Sequence, residues 1–365
     1  MSEPSTNDKP RHPFDVYEAY RRIMVDEEIS PPLAAILTLT ELMENSTGES
    51  TPMAANLFVS FLVLVAGTMF ELVKALNDGA EVLKARSSNP ISLNAGCELF
   101  IAFVTLFPHD SVSFTDLKAK LVRQGQQYAA EALAYRKKIA ELAVGFIKDG
   151  SLILTHSYSR VVMQTLLLAH ERKRISVFVT EARPRGLGIK TAEALTAAGI
   201  PTTVILDSAV AYVMEKVDFV LVGSEAVVES GGLINAVGSN QMAIIAKAAN
   251  KPFYALAESY KFHRLFPLSQ YDLPNHNSRI FSFPRPKSSP LTGSKQVPTS
   301  PSSSDPPEET SSSGVAPVTI TQEQISQNNP DVDYTRPDLI SLVFSDVGSL
   351  TPEGVSQYLV GMFAG

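Results

Sequence analysis

The chain has 365 residues, 44% of them hydrophobic, and its 38 acidic and 31 basic side chains leave a formal charge of −7. That length and apolar share suit two domains with sizeable cores, and the modest acid excess argues against a nucleic-acid binder held by bulk electrostatics. The single cysteine, Cys97, excludes an internal disulfide and a cysteine-rich zinc site, and the histidines show no metal-ligand spacing, so no metal is expected.

Residues 1–13 are polar, lack the apolar core of a signal peptide, and are expected to form a disordered tail. From Phe14 the apolar spacing turns helical. "DVYEAYRRIMVDEE" carries it, and "SPPLAAILTLTELMEN" adds Ser30 as a helix cap with prolines in the first turn. Met53 to Lys84 reads as a long apolar helix with a break near Gly67. Its most membrane-like part, Leu57 to Phe70, is shorter than the roughly 20 apolar residues a spanning helix needs. Glu71 and Lys74 follow at once, so a core helix is expected and no membrane association. "AGCELFIAFVTLF" is the next helix, stopped by Pro108. Ser113 opens a long amphipathic helix running to Gly150. Residues 14–150 are therefore expected to be a helical domain.

After Gly150 the rhythm changes. Short apolar runs, "SLILTH", "ISVFVTEA", "TTVILDS", "FVLVGSEAV", "PFYALAES" and "LISLVFSD", alternate with helical stretches such as "RVVMQTLLLAHERK" and "NQMAIIAKAAN". Continuous apolar strands alternating with helices imply a mostly parallel sheet covered on both faces. From about 284 to 330 the composition collapses into Ser, Pro, Thr and Gln, which cannot bury a core. The expected fold is α/β: an N-terminal helical domain, then a Rossmann-like, mostly parallel sheet domain over 151–365 with a disordered insertion at about 284–330.

Candidate chemistry lies at the strand ends, where ligands of open α/β sheets sit. His156 and Ser157 end the first strand. They are adjacent, their side chains diverge, and no G-x-S-x-G elbow is present, so a hydrolytic triad is not expected. "VTEARPRGLGIKT" sets Gly186 and Gly188 between a strand and a helix. It mimics a dinucleotide fingerprint, but Thr191 stands where the last glycine belongs and the lysine spacing of a phosphate loop fails. The helix start at Gly188, with Arg183 and Arg185, reads equally as an anion site and as a solvated turn. Asp207 reads first as a helix cap and second as a general acid or base. Gly231 and Gly232 permit a tight turn, beside which Asn235 can bond a ligand or the backbone.

Taken together, "LTHSYSRVV", "VTEARPRGLG", "ILDSAVAYVMEKVDFVLVGSEAVVESGGLINAVGSNQMA", "NKPFYALAESYKFHRLFPL" and "SLTPEGVSQYL" resemble the alpha subunits of eukaryotic translation initiation factor 2B. The likeness covers nearly all of the chain apart from the first dozen residues and the Ser/Pro stretch. That family is related to sugar-phosphate aldose–ketose isomerases, among them the methylthioribose-1-phosphate and ribose-bisphosphate enzymes. In those enzymes the first strand ends in Thr-His-Cys with a catalytic cysteine, partnered by an aspartate. The matching positions here are Ser157 and Asp207. Serine replaces the nucleophile poorly, because a hydroxyl is far less acidic than a thiol. The Asn-Lys of their glycine-rich loop is Asn235-Ala236 here, which removes a cation, whereas Arg183 matches their arginine.

The resemblance implies a non-catalytic regulatory subunit, with no cofactor, of the cytoplasmic complex that exchanges guanine nucleotide on initiation factor 2. It implies a homodimer that joins the beta, delta and other subunits and helps sense the phosphorylated alpha subunit of initiation factor 2. It also implies a vestigial sugar-phosphate pocket formed by His156, Ser157, Arg183, Gly188, Asp207 and Asn235. A working sugar-phosphate isomerase is the alternative, and a dinucleotide-dependent oxidoreductase is a third reading that rests on Gly186 and Gly188 alone.

Overall fold

The structure, a computed structural model, describes residues 14–45, 67–87, 90–108, 113–276, 280–283 and 320–363. The expected tail, the apolar stretch before Gly67 and the Ser/Pro-rich residues 284–319 lie outside the described residues. The described residues up to His276 and from Asp331 onward form one compact unit, and those between Asn277 and Pro330 form a second.

Helices build the first part of the larger unit. α1 (Val16–Ile23) starts where the Asp15 carboxylate accepts the N–H groups of Tyr17 and Glu18, as a cap should. α2 (Pro31–Asn45) runs through the middle and buries Leu33, Ile36, Leu39, Leu42 and Met43. The hydroxyl of Ser30, expected to cap it, donates to the Tyr260 hydroxyl at 3.2 Å. α3 (Met69–Arg86) opens on a capping box between Thr68 and Glu71, and α4 (Pro90–Leu106) packs on α2 and α3.

The long helix expected from Ser113 to Gly150 is instead two, α5 (Phe114–Ala132) and α6 (Tyr135–Val144). No proline or glycine interrupts it at Leu133 and Ala134. The turn is held by tertiary partners beyond it: Tyr135 stacks on Tyr260, and Arg136 is ion-paired with Glu258. The C-terminal end of α6 is held by Lys173, whose ammonium donates to the Val144 carbonyl at 2.7 Å and also to that of Ile147.

The strands then form a seven-stranded sheet in the order β11-β10-β7-β4-β1-β2-β3. These are β1 (Ser151–His156), β2 (Ile175–Thr180), β3 (Thr202–Ile205), β4 (Phe219–Val222), β7 (Phe253–Leu256), β10 (Leu342–Ser345) and β11 (Gly348–Leu350). All pairings are parallel except β10 with β11. The near-continuous apolar runs follow from this: β4 is buried along its whole length. Strand order runs outward in both directions from β1 and β4, so the crevice between their carboxyl ends is the topological switch point. The helices beside the sheet are α7 (Arg160–His170), α8 (Gly188–Ala197), α9 (Val210–Val213), α10 (Ser239–Ala248) and α12 (Pro352–Phe363).

A second, four-stranded sheet, in the order β8-β5-β6-β9, was not expected. It comprises β5 (Ala226–Val228), β6 (Leu233–Ala236), β8 (Phe262–His263) and β9 (Val332–Thr335). Strands this short carry no readable period. Gly231 makes the β5–β6 turn possible: its φ is +81°, and a Cβ there would lie 2.2 Å from the Pro352 carbonyl oxygen.

In the smaller unit, α11 (Gln322–Asn328) falls within the stretch expected to lack structure. Thr321 and Gln324 form a capping box, and none of the helix's side chains is buried, so local capping alone accounts for it. No helix among the described residues is long and apolar enough to cross a membrane.

Candidate functional site

The site is built where β1, β2 and β4 end. β1 delivers His156 into the interior, 2% exposed. Its Nε2 lies 2.9 Å from the Val237 carbonyl, which can only accept, so Nε2 carries the proton. Nδ1 is then left to accept from the Thr180 hydroxyl at 2.5 Å. Burial lowers its pKa and outweighs the pull of Asp207, so the ring is neutral. Both nitrogens are spent, which makes His156 a strut between β1, β2 and the turn into α10. Gly238 sits against it with φ +107°, and a Cβ there would lie 3.0 Å from the ring.

Ser157 follows in left-handed conformation, φ 61°, with its carbonyl accepting the Thr191 hydroxyl at 2.6 Å. A serine held at such an angle at a strand end is the kind of strained position that clusters at functional sites.

Asp207 does not cap the helix after it. Its two carboxylate oxygens accept the backbone N–H groups of Ala182 (2.9 Å) and Arg183 (2.8 Å), so it fastens the β2–α8 loop from the neighbouring strand. The Arg183–Pro184 bond in that loop is cis. The Arg183 guanidinium is 63% exposed and pairs with Glu181 at 3.3 Å. The N–H of Gly188, expected to be free for an anion, donates to the Glu181 carbonyl at 3.2 Å. Gly188 is needed for close packing, since a Cβ there would meet the Thr180 carbonyl oxygen.

Of the six residues singled out from sequence, only Asn235 lines the nearby cavity of about 250 Å³. The other five are not among its lining residues. Asn235 donates to the Ser239 hydroxyl at 3.0 Å. The cavity's charge comes from residues that sequence reasoning did not assemble: Arg160, Arg185, Arg136 and Lys261 against Glu225 and Glu258. Glu258, 1% exposed, is held between Arg136 Nε at 3.0 Å and Lys261 Nζ at 2.8 Å. Arg185 lies 3.6 Å from Glu225 and 3.4 Å from Asp331. Arg160 has no acidic partner among the described residues, and the buried Ser224 hydroxyl has none either. Four cations against two acids, with an amide and a hydroxyl beside them, suit an anion that also carries hydroxyl groups. Each of Arg160, Ser224 and Lys261 stands a few residues past a strand end, which is the signal that could have found them. Among the described residues no cluster of His, Cys, Asp or Glu could hold a metal ion.

Comparison with known proteins places the chain. The model of the Initiation factor 2 subunit family matches residues 32–352. The chain is 41% identical over 300 residues to "Translation initiation factor eIF2B subunit alpha" of Dictyostelium discoideum, covering 81% of this chain and 85% of that protein. It is 31% identical to the ribose 1,5-bisphosphate isomerase of Archaeoglobus fulgidus, covering 70% of this chain and 71% of the enzyme. Among solved structures, the tetrameric eIF2B-beta2-delta2 complex of C. thermophilum holds a chain with the same fold, at TM-score 0.64 and 15% identity, covering 96% of each chain.

Proposed function

Because this chain belongs to the Initiation factor 2 subunit family, we propose that it is a non-catalytic, regulatory alpha subunit of initiation factor 2B. In this reading it acts in the cytoplasm, in the complex that exchanges guanine nucleotide on initiation factor 2. It forms a homodimer, joins the beta, delta and other subunits, and helps to sense the phosphorylated alpha subunit of initiation factor 2 under stress. The relatives named alpha subunit support this more strongly than the isomerase does, at 41% against 31% identity.

The observation that carries the non-catalytic part is Asp207. Both of its oxygens accept backbone N–H groups of the β2–α8 loop, and its side chain holds that loop without lining the cavity. Its counterpart position, Ser157, offers a hydroxyl rather than a thiolate. The cavity is retained as a binding site: Arg160, Arg185 and Lys261 hold the phosphate of a sugar phosphate, and Asn235 and Ser224 meet its hydroxyls. Incubation with ribose 1,5-bisphosphate should give no isomerised product, while ribose phosphates should raise the melting temperature in proportion to ligand. Arg160→Ala should remove that shift, and Arg183→Ala should leave it. Measurable turnover would return the chain to the isomerases.

Self-association is supported by β3, an edge strand whose free side leaves Val204 44% and Leu206 59% exposed, with Tyr212 88% exposed just beyond. An open apolar edge is a ready template for pairing. Sedimentation at micromolar concentration should give a dimer, and Val204→Asp should give a monomer. A wild-type monomer would end the homodimer reading.

A further inference from the structure

A larger cavity, about 680 Å³, takes no part in the function proposed above. Its walls are apolar and aromatic: Phe100, Phe103 and Phe107 from α4, Tyr128 from α5, Tyr135 from α6 and Tyr358 from α12. Among the described residues one charged group lines it, Asp346, which directly follows β10 and is 4% exposed.

Asp346 is held by neutral donors. Oδ1 accepts the Ser259 N–H at 2.7 Å and the Ser345 hydroxyl at 3.2 Å, and Oδ2 accepts the Ser259 hydroxyl at 2.8 Å. Among the described residues no lysine, arginine or histidine pairs with it. A buried carboxylate is ordinarily matched by a cation. Its field is felt across the cavity: burial first, and then Asp346, raise the pKa of Tyr135 to about 12 and that of Tyr358 in the same direction. Both phenols therefore stay neutral, and both line the space.

An aromatic cavity of this volume with a single anionic group has a defined complement. Ring faces attract a cation electrostatically, the apolar walls take a hydrocarbon body, and the carboxylate takes an ammonium head. We propose that this cavity is a binding site for a small apolar amine, with its ammonium group on Asp346 and its hydrocarbon part among Phe100, Phe103, Phe107 and Tyr135.

The test is calorimetric titration of the full chain with three probes of one shape: 4-phenylbutylamine, 4-phenylbutanol and 4-phenylbutyrate. The amine should bind about tenfold tighter than the alcohol, the ratio expected of one charge-assisted hydrogen bond, and the acid should bind weakest. Asp346→Asn should erase the difference between amine and alcohol. Should that variant not fold, Ala102→Phe fills the cavity from α4 without touching Asp346 and should abolish amine binding. Equal affinity for amine and alcohol in the unaltered protein, no binding of the amine, or amine binding that survives Ala102→Phe would each overturn the proposal.

Discussion

Glu258 and Asp346 stand just past the ends of two adjacent parallel strands, β7 and β10, and are 1% and 4% exposed. Their surroundings differ in one respect. Glu258 faces two cations, Arg136 and Lys261, and also accepts the Tyr260 hydroxyl at 3.0 Å. Burial alone would raise its pKa, but Lys261 and Arg136 overcome this and hold it at about 2. Asp346 meets only hydroxyls and an amide. One acid is neutralised by its own chain and serves to join helix to sheet. The other has no cation beside it among the described residues and lines an apolar cavity.

The comparison can be broken by substitution. Glu258→Gln should have the largest effect, about 3–5 kcal/mol of lost stability, because it leaves Lys261 with no acidic partner and Arg136 with only the exposed Glu28; a loss below about 1 kcal/mol in urea unfolding would show the network to be hydrated and weak. The same acid predicts a pH profile. Its folded-state pKa lies below the unfolded value of about 4.3, so its contribution is complete above about pH 5 and is lost as pH falls toward 2. Urea midpoints from pH 6 to pH 2.5 should fall in the natural protein, and the fall should be shallower in Glu258→Gln. Asp346→Asn should lose less, about 1–2 kcal/mol, since the amide oxygen can still accept from Ser259 and no cation is left behind. Glu28→Gln should lose least, within about 1 kcal/mol: Glu28 pairs with Arg136 at 3.0 Å but is 77% exposed. Should Asp346→Asn prove as damaging as Glu258→Gln, Asp346 has a structural partner that the comparison overlooks.

The main sheet was legible because its strands are uninterrupted apolar runs, as in "FVLV" at Phe219–Val222. The second sheet was not, since a two-residue strand such as Phe262–His263 leaves no period to read. The split between α5 and α6 was hidden because its cause, Glu258 and Tyr260, lies more than a hundred residues downstream. For the candidate site, the strand ends were legible, but the hydrogen-bond partners of the side chains there were not. Asp207 had every mark of a cap, yet its hydrogen bonds run to Ala182 and Arg183 across the sheet. Arg160 and Lys261 carry no motif and become a pair of cations only when the strands are laid side by side.

The order in which the ribosome delivers the chain gives the sheet topology a further consequence. β9 completes the small sheet on β6, and β10 completes the long one on β7, yet both lie beyond residue 330. A nascent chain that has reached Pro330 therefore presents one extra unpaired strand edge in each sheet, on β7 and on β6, besides the permanent edges at β3 and β8. Asp346, its bonds to Ser259 and the Tyr358 wall from α12 arrive later still. Closure of both sheets must await the strands beyond residue 330, and pairings over such sequence distances form slowly. The interval between making β7 and making β10 is thus when this protein is most exposed to misassembly, and a chaperone that covers strand edges would matter most then.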